Sequence, residues 1–560
     1  MLCPERRGCV VSASARGGGD EPRSAQRDTQ TAGQPQRDGA RSCSGLFLSP
    51  QRGWVLCHGH IFSPFLRQPK KDPRGRPFLL PGAFHSGLQI CIQFPGDDCR
   101  SPPSLWTPLG PTSESLDSSP QLSSLTPNLV KAQRCSQAEM LMVFPCSEFQ
   151  DILQTLFNKF DKWSFCGEDQ EQELQAEPLG LAWFALLRCP GWGEDGDTVV
   201  GGQNPRWVSS ECLKKGQPLF SCASPFASFC SEIFMNSLSK GIVSNLAGER
   251  NAMILTDARC LPGTEGGGVY IRSRDRYYLA GLIVAPLCWK ASEWVGLTLV
   301  CSATCVFESM GRILNGFEFF SSPPLIVPGS HGLTRLLGSV ALLESDRIWG
   351  SGVIISSRLI ITCRHVLDRA PSIRVKILMD SNSWLALKGK VVFASKENSP
   401  YDLAVVELEE DLTFIELPTI ASDFKKGEDV YVIGYGVFGR TCGPSVTAGI
   451  LSAVITMEDQ AVMLQTTCAV HAGSSGGPVF RTSSGELLGI VSSNARSNKG
   501  GFTYPHLNFS FPITVLGPLL SAYRSTRDAM VFEGLNKGSE HLRTLWKLQG
   551  STSTPWKSKL

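Results

Sequence analysis

No apolar run in this 560-residue chain approaches the roughly 18 residues needed to span a bilayer. The longest candidates, 279–289 and 297–307, read as buried strands. Excess charge of one sign is also missing. Lys and Arg number 53 against 51 Asp and Glu, a net charge of +2, which excludes a large sequence-independent footprint on nucleic acid. The opening residues, Met1-Leu2-Cys3-Pro4-Glu5-Arg6-Arg7, lack the apolar core of a secretory signal. No cysteine pair shows zinc spacing with a matching second pair. These absences predict a chain kept in a reducing compartment, with no membrane span, nucleic-acid partner, metal or cofactor. Its 20 cysteines are then expected to be buried thiols rather than disulfides. Cys57, Cys363 and Cys468 sit in or beside apolar runs, as small core hydrophobes do.

What the chain does have is many short strands. Gly352-Val353-Ile354-Ile355, Leu359-Ile360-Ile361-Thr362, Ile373-Arg374-Val375-Lys376-Ile377, Leu403-Ala404-Val405-Val406 and Val430-Tyr431-Val432-Ile433 are rich in β-branched or aromatic residues. Ser, Asn, Asp, Gly and Pro clusters separate them, the signature of an all-β barrel or sandwich. A helix is expected over 513–524, after Pro512, and another over 147–160. The stretch 101–126 is dense in Ser and Pro and reads as an exposed linker. The acidic run 167–177 reads as a solvated loop, and the residues from Ser525 onward as a polar tail.

One turn carries chemistry: Gly473-Ser474-Ser475-Gly476-Gly477-Pro478. Such a turn can expose a hydroxyl while its N–H groups point at a developing oxyanion, with glycines permitting close approach of substrate. By itself it could equally be a surface turn. Two partners change the balance. His365 ends an apolar strand in Ile361-Thr362-Cys363-Arg364-His365-Val366, and Asp402 begins another in Pro400-Tyr401-Asp402-Leu403-Ala404. Taken singly, a strand-edge His or Asp is commonplace. Together, in the order His, Asp, Ser, they match a known triad order. Ser475 needs a base, His365 can supply it, and Asp402 would hold the imidazole tautomer. The N–H groups of Gly473 and Ser475 would form the oxyanion hole.

These residues resemble the trypsin-like serine proteases, especially the Deg/HtrA branch. Thr362-Cys363-Arg364-His365 is similar to that family's strand ending in the catalytic His, and Asp402-Leu403-Ala404-Val405 to its Asp motif. The turn 473–478 is similar to its nucleophile motif, with Ser474 where Asn or Asp is usual. Gly489-Ile490-Val491-Ser492-Ser493 looks like the strand lining the primary pocket, and 507–513 like the strand entering the closing helix. The resemblance covers about 325–524, and too few residues follow for the PDZ domains of many Deg proteases. It implies an all-β double barrel. Ala469, six before Ser475, stands where enzymes that cut after Lys or Arg carry an acid. A pocket of Ala469, Ser492 and Asn494 would suit a small neutral side chain such as cysteine.

The N-terminal half repeats the pattern. Residues 254–270 lie on 464–480 without a gap. Pro178-Leu179-Gly180-Leu181-Ala182 lies on Pro400-Tyr401-Asp402-Leu403-Ala404, Trp54-Val55-Leu56-Cys57-His58-Gly59-His60-Ile61 on 359–366, and 224–230 resembles 434–439 in context. Glu265 then stands where Ser475 does, Gly180 where Asp402 does, and His60 faces His365. No triad can form there. Glu265 as a nucleophile or acid would need a second carboxylate. The expected organisation is tandem chymotrypsin-like double β-barrel units: a degenerate unit over 8–320 with an insertion at about 100–177, an active unit over 325–525, and a tail over 526–560.

The tail ends Ser558-Lys559-Leu560, which an import receptor reads as a peroxisomal address. A silent copy, an active trypsin-like unit and this ending together resemble a family of peroxisomal processing proteases. That resemblance implies a matrix endopeptidase that removes N-terminal targeting leaders from imported fatty-acid β-oxidation enzymes, or cuts them internally. It also implies cleavage after cysteine and self-processing in the N-terminal region, with Cys99 and Cys135 as candidate points. The competing reading is a noncatalytic peroxisomal peptide-binding protein. Homo-oligomerisation is left open.

Overall fold

The computed structural model of the chain describes all residues except 1–3, 5–6, 16–39, 50, 68–77, 96–133, 158–161, 166–178, 191–204, 291–292, 315–330, 346–347, 381–382, 497–502 and 548–560. The Ser/Pro-rich stretch, the acidic run, Cys99 and Ser558–Leu560 therefore lie outside the described residues.

Among the described residues the strands form four closed six-stranded antiparallel barrels, two per unit, and one small three-stranded sheet, so the fold is all-β as expected. The first barrel holds Gly8–Ala15, Arg41–Ser49, Trp54–His58, Leu88–Phe94, Arg134–Pro145 and Trp183–Arg188; the second holds Pro218–Ala223, Ser237–Ala247, Met253–Thr256, Gly268–Ser273, Arg276–Ala285 and Thr298–Ser302. The third holds Val340–Glu344, Trp349–Ile354, Leu359–Thr362, Ser372–Asp380, Ser383–Ala394 and Ala404–Leu408; the fourth holds Asp429–Gly434, Ser445–Met457, Gln460–Thr466, Pro478–Arg481, Leu487–Arg496 and Thr503–Pro512. In every barrel the first three strands are neighbours in chain order and the last three close the ring in reverse. Closure leaves no unpaired edge in any of them. Each unit ends in a helix leaving its last strand, Ala303–Ile313 in the first and Ile513–Thr526 in the second. The 297–307 run thus divides between a strand and a helix capped by Ser302, whose hydroxyl accepts from the Cys305 N–H.

Apolar side chains are buried on both faces of the barrel strands, inside the barrels and beneath what packs on them. Val353, Ile361, Val375, Val405 and Val406 in the third are fully buried; each contributes about 1.5–3 kcal/mol of burial. The expected helix at 147–160 is observed as Ser147–Leu156.

Strand pairing also fixes how the copies correspond. Cys57 lies opposite Ala185, and Thr362 opposite Ala404. The Cys189 N–H donates to Gly53 O, as the Leu408 N–H donates to Arg358 O. This register places Trp183, not Gly180, at the position of Asp402. The ungapped match of 178–182 is three residues out of step, because the ladder rather than the shared Pro-x-x-Leu-Ala wording sets the register.

Two further expectations are corrected. The segment after Ser525 is not simply a polar tail: Ala529–Asn536 and Glu540–Trp546 fold onto the third barrel. Phe532, Leu535 and Leu542 are buried, and Trp546 packs against Tyr401 and Phe511. Nor are all cysteines thiols. Cys91 and Cys135 form a disulfide, because adjacent antiparallel strands bring them near diagonally, with Cα atoms 6.5 Å apart, inside bonding reach. Cys57, Cys363 and Cys468 are buried thiols as expected.

The two units pack against each other. The Asp257 carboxylate accepts from Ile242 N (2.8 Å) in its own unit and from Ala448 N (2.7 Å) in the other. Lys215 Nζ donates to Cys442 O (3.0 Å) and Pro444 O (2.8 Å), and Asn245 Nδ2 to Ser445 Oγ (2.9 Å).

Candidate active site

His365 lies in a short 3-10 turn, Arg364–Leu367, directly after the strand Leu359–Thr362. Asp402 immediately precedes the neighbouring strand, so the third barrel brings the two together. The ring Nδ1 of His365 hydrogen-bonds Asp402 Oδ2, and the His365 backbone N–H donates to Asp402 Oδ1 at 3.1 Å. Burial pushes the Asp402 carboxyl up, but the bond to His365, the charge of His365 and the Arg364 guanidinium outweigh it and hold the carboxyl below its usual value. An ionised carboxylate only accepts, so Nδ1 carries a proton, and in the neutral ring it is Nε2 that holds the lone pair.

Ser475 comes from the fourth barrel, in the turn before Pro478–Arg481. Gly473 and Gly476 hold φ of +90° and +83°, which suits glycine. A Cβ on Gly473 would come 2.4 Å from Tyr435 O, and one on Gly476 would come 2.1 Å from Ser351 O. Barrels three and four meet at this turn. The Ser351 N–H donates to Ser475 O at 2.8 Å, and the Cys363 thiol, two residues before His365, donates to Val491 O at 3.2 Å. Val491 O also accepts from Gly476 N at 2.8 Å. Ser475 Oγ donates to Ser492 O at 3.2 Å. Turning Oγ away from that carbonyl is what a Ser–His hydrogen bond requires; such bonds are often unformed without substrate. Among the described residues the Gly473 and Ser475 N–H groups have no protein acceptor.

The expected pocket residues gather beside the turn. Ala469 is buried, and its carbonyl accepts from Thr447 Oγ1 at 2.9 Å. Asn494 Nδ2 donates to Val470 O at 2.6 Å, while its buried Oδ1 has no partner. No acidic residue is among these three.

Sequence reasoning missed two residues. Arg364 Nε donates to Asp402 Oδ1 at 3.1 Å; its place beside His365 was the available signal. Ser351 Oγ accepts from Tyr435 N (2.7 Å) and donates to Gly473 O (2.8 Å), clamping the nucleophile turn. Its counterpart Ser44 does the same in the first unit, bonding Ser224 N and Gly263 O.

The first unit keeps the backbone without the chemistry. Gly263 and Gly266 hold φ of +93° and +82°, but the Gly263 N–H donates to Glu265 Oε2 at 2.8 Å. His60 faces His58 rather than a carboxylate, Nδ1 to Nδ1 at 2.7 Å. His58 Nε2 lies 3.0 Å from Leu181 O, so Nε2 donates, Nδ1 accepts, and the shared proton sits on His60 Nδ1. Of the two self-cleavage candidates, Cys135 lies in a paired barrel strand and in the disulfide.

A trypsin-like peptidase domain model matches residues 350–490. The mouse peroxisomal leader peptide-processing protease is 42% identical over all of this chain and 99% of its own length. The human protein of that name is 41% identical over the same shares. A probable periplasmic DegP-like serine endoprotease of Halomonas elongata is 36% identical over 31% of this chain and 34% of its own. The chain belongs to the peroxisomal leader peptide-processing protease family. It is a peroxisomal serine protease with a trypsin-like domain. Among the described residues no helix is long and apolar enough to cross a membrane.

Proposed function

We propose that His365, Asp402 and Ser475 are the catalytic triad of a matrix endopeptidase that processes imported proteins. The observation that carries the reading is the fixed tautomer: Nδ1–H of His365 is held on the Asp402 carboxylate. Nε2 then takes the Ser475 proton as Oγ attacks the scissile carbonyl, and returns it to the leaving amine. The Gly473 and Ser475 N–H groups receive the oxyanion. Water deacylates the serine by the same route in reverse.

Substrates follow from the pocket and the relatives. Uncharged Ala469, Ser492 and Asn494 favour a small neutral residue before the scissile bond, and a cysteine thiol can donate to the unpaired Asn494 Oδ1. The relatives' printed name supports leader peptides as substrates; we extend this to fatty-acid β-oxidation enzymes and to self-processing near Cys99. Import is assigned to Ser558–Leu560 and the receptor that reads it.

A serine-directed fluorophosphonate probe tests the reading. The folded wild type should label at one site and Ser475→Ala should not. An unlabelled wild type would return the chain to the peptide-binding alternative. Self-processing predicts that Ser475→Ala accumulates full-length chain; a mutant nicked as the wild type is would assign that cut to another protease.

A further inference from the structure

The first unit reaches into the second at the catalytic pocket. Strands Trp289–Lys290 and Glu293–Trp294 pair with each other, and the former also pairs with Trp163–Ser164. This small sheet lies against the active unit. The Trp163 ring stacks on Phe438 at 5.4 Å, and Phe438 meets His471 edge-on at 6.5 Å. The Trp294 ring meets His506 edge-on at 5.6 Å. Gly296, at φ +74°, sits so close that a Cβ would lie 2.9 Å from Pro505 Cβ and 3.3 Å from Ala469 Cβ. Ala469 and Phe438 belong to the same apolar cluster as the first unit's Leu282, Leu299 and Phe307.

Those contacts land on the pocket's framework. Pro505 O accepts from Val470 N at 2.9 Å, and His506 Nδ1 lies 3.2 Å from Thr467 O. The segment 505–506 therefore braces the loop that carries Ala469, just after the strand Gln460–Thr466. Lys290 Nζ stands 5.8 Å from the Trp349 ring. The Trp349 indole N–H donates to Tyr435 O at 3.2 Å, beside Gly473. Because interiors are close-packed, a residue pressed from behind cannot recede to admit a larger ligand.

We propose that Trp294 and Gly296 of the silent unit are specificity-determining residues of the active unit, fixing from behind Ala469 how deep its primary pocket is. This rests on the assignment of Ala469, Ser492 and Asn494 to that pocket. The degenerate copy is then part of the enzyme's selectivity rather than a spacer.

The test uses the full-length chain and two peptides that differ only in cysteine or methionine before the scissile bond. The readout is the ratio of their kcat/KM values, alongside fluorophosphonate labelling. Trp294→Ala frees 505–506 to recede, so the ratio should move toward methionine by about tenfold, the usual worth of a methylene or two in a pocket. Gly296→Ala presses Ala469 inward and should move it the opposite way. Trp294→Phe should be intermediate, and it keeps the test decisive where Trp294→Ala does not fold. Phe229→Ala, on an exposed ring of the first unit, should leave the ratio alone. Ala469→Leu separates the two levels of the argument. If it shifts the ratio while folded, labelled Trp294 and Gly296 variants keep the wild-type value, the inference fails and the pocket assignment stands. If none shifts it, the assignment fails as well. A wild type that neither labels nor cleaves overturns the protease reading itself.

Discussion

The turns at 261–267 and 471–477 are nearly the same object twice. Their glycines match within a few degrees, at φ +93° and +82° in one and +90° and +83° in the other. In both, an N–H of the turn donates to the carbonyl three residues back, and a serine from the preceding barrel clamps the glycine carbonyl. They differ in what the Gly263 and Gly473 N–H groups do. In the active turn that donor has no acceptor among the described residues; in the silent turn the Glu265 carboxylate takes it. The first unit's turn thus carries Glu265 in place of Ser475, and its carboxylate takes the donor whose counterpart we assign to the oxyanion. A conserved backbone shape is evidence of common construction, while activity depends on which group the donors face.

The sharpest way to break this comparison is to exchange the two side chains. Ser475→Glu should place a carboxylate on the Gly473 N–H and remove the nucleophile, with a loss in kcat on the order of 10⁶. Glu265→Ser should gain nothing. Trp183 occupies the Asp402 position, and His60 Nδ1–H is spent on His58. Intact-mass measurement after fluorophosphonate treatment checks both, with one label per chain expected for Glu265→Ser. Two labels would mean that the first unit is a latent site, and the contrast between the turns would collapse.

That exchange also shows how far the sequence reaches. The positions proposed as the triad, and the repeat, were legible because each needs a particular residue in a short motif: His365 after Thr362-Cys363-Arg364, and Glu265 in register with Ser475. The strands of the active unit were legible because β-branched runs alternate with turn residues. Long-range pairing was not. Trp183 replaced Gly180 only once the ladder to Cys57 was visible. Cys91 and Cys135, 44 residues apart, met through the strands Leu88–Phe94 and Arg134–Pro145, the second of which is a barrel strand inside the stretch 100–177 expected to be an insertion. Phe532, Leu535 and Trp546 looked like scattered apolar residues in a polar tail, because the surface that buries them comes from Phe393, Tyr401 and Phe511. For the same reason no motif in the second unit pointed to Gly296 behind Ala469.

A smaller effect separates the two units by their histidine partners. In the active unit Arg364 helps keep Asp402 ionised; in the silent unit His60 meets His58 instead of a carboxylate. Arg364→Ala removes one of the groups that lower the Asp402 carboxyl, so its value should rise. Asp402 must be charged to hold the His365 Nδ1–H, so activity should fall at a higher pH than in the wild type as the solution is acidified. The loss near neutrality should be roughly ten- to a hundredfold, from a charge-assisted bond of about 1.5–3 kcal/mol. The linked stability follows the same sign: it is present above the unfolded carboxylate range and lost as pH falls through the folded value. The pH profile of kcat/KM is the measurement, and an acid limb that does not move would leave Arg364 a packing residue.

The smallest effect lies in the silent turn. Burial pushes the Glu265 carboxyl up to about 7, with the Gly263 N–H pulling it partly back. A raised carboxyl holds its proton longer in the folded state than in the unfolded one. Its favourable contribution is therefore complete below the ordinary glutamate range and is lost as pH rises through about 7. Glu265→Gln keeps an oxygen for the Gly263 N–H and carries no charge at any pH. Wild type and variant should melt together at about pH 4, below the ordinary glutamate value, and the variant should melt higher at about pH 8. The separation scales as about 2–4 °C per kcal/mol for a unit of this size. Thermal unfolding at the two pH values checks this, with the first-unit transition followed by a probe on that unit. A variant less stable at pH 8 would mean that the carboxylate's bond to Gly263 outweighs its burial. The silent turn would then be held together by the anion that silences it.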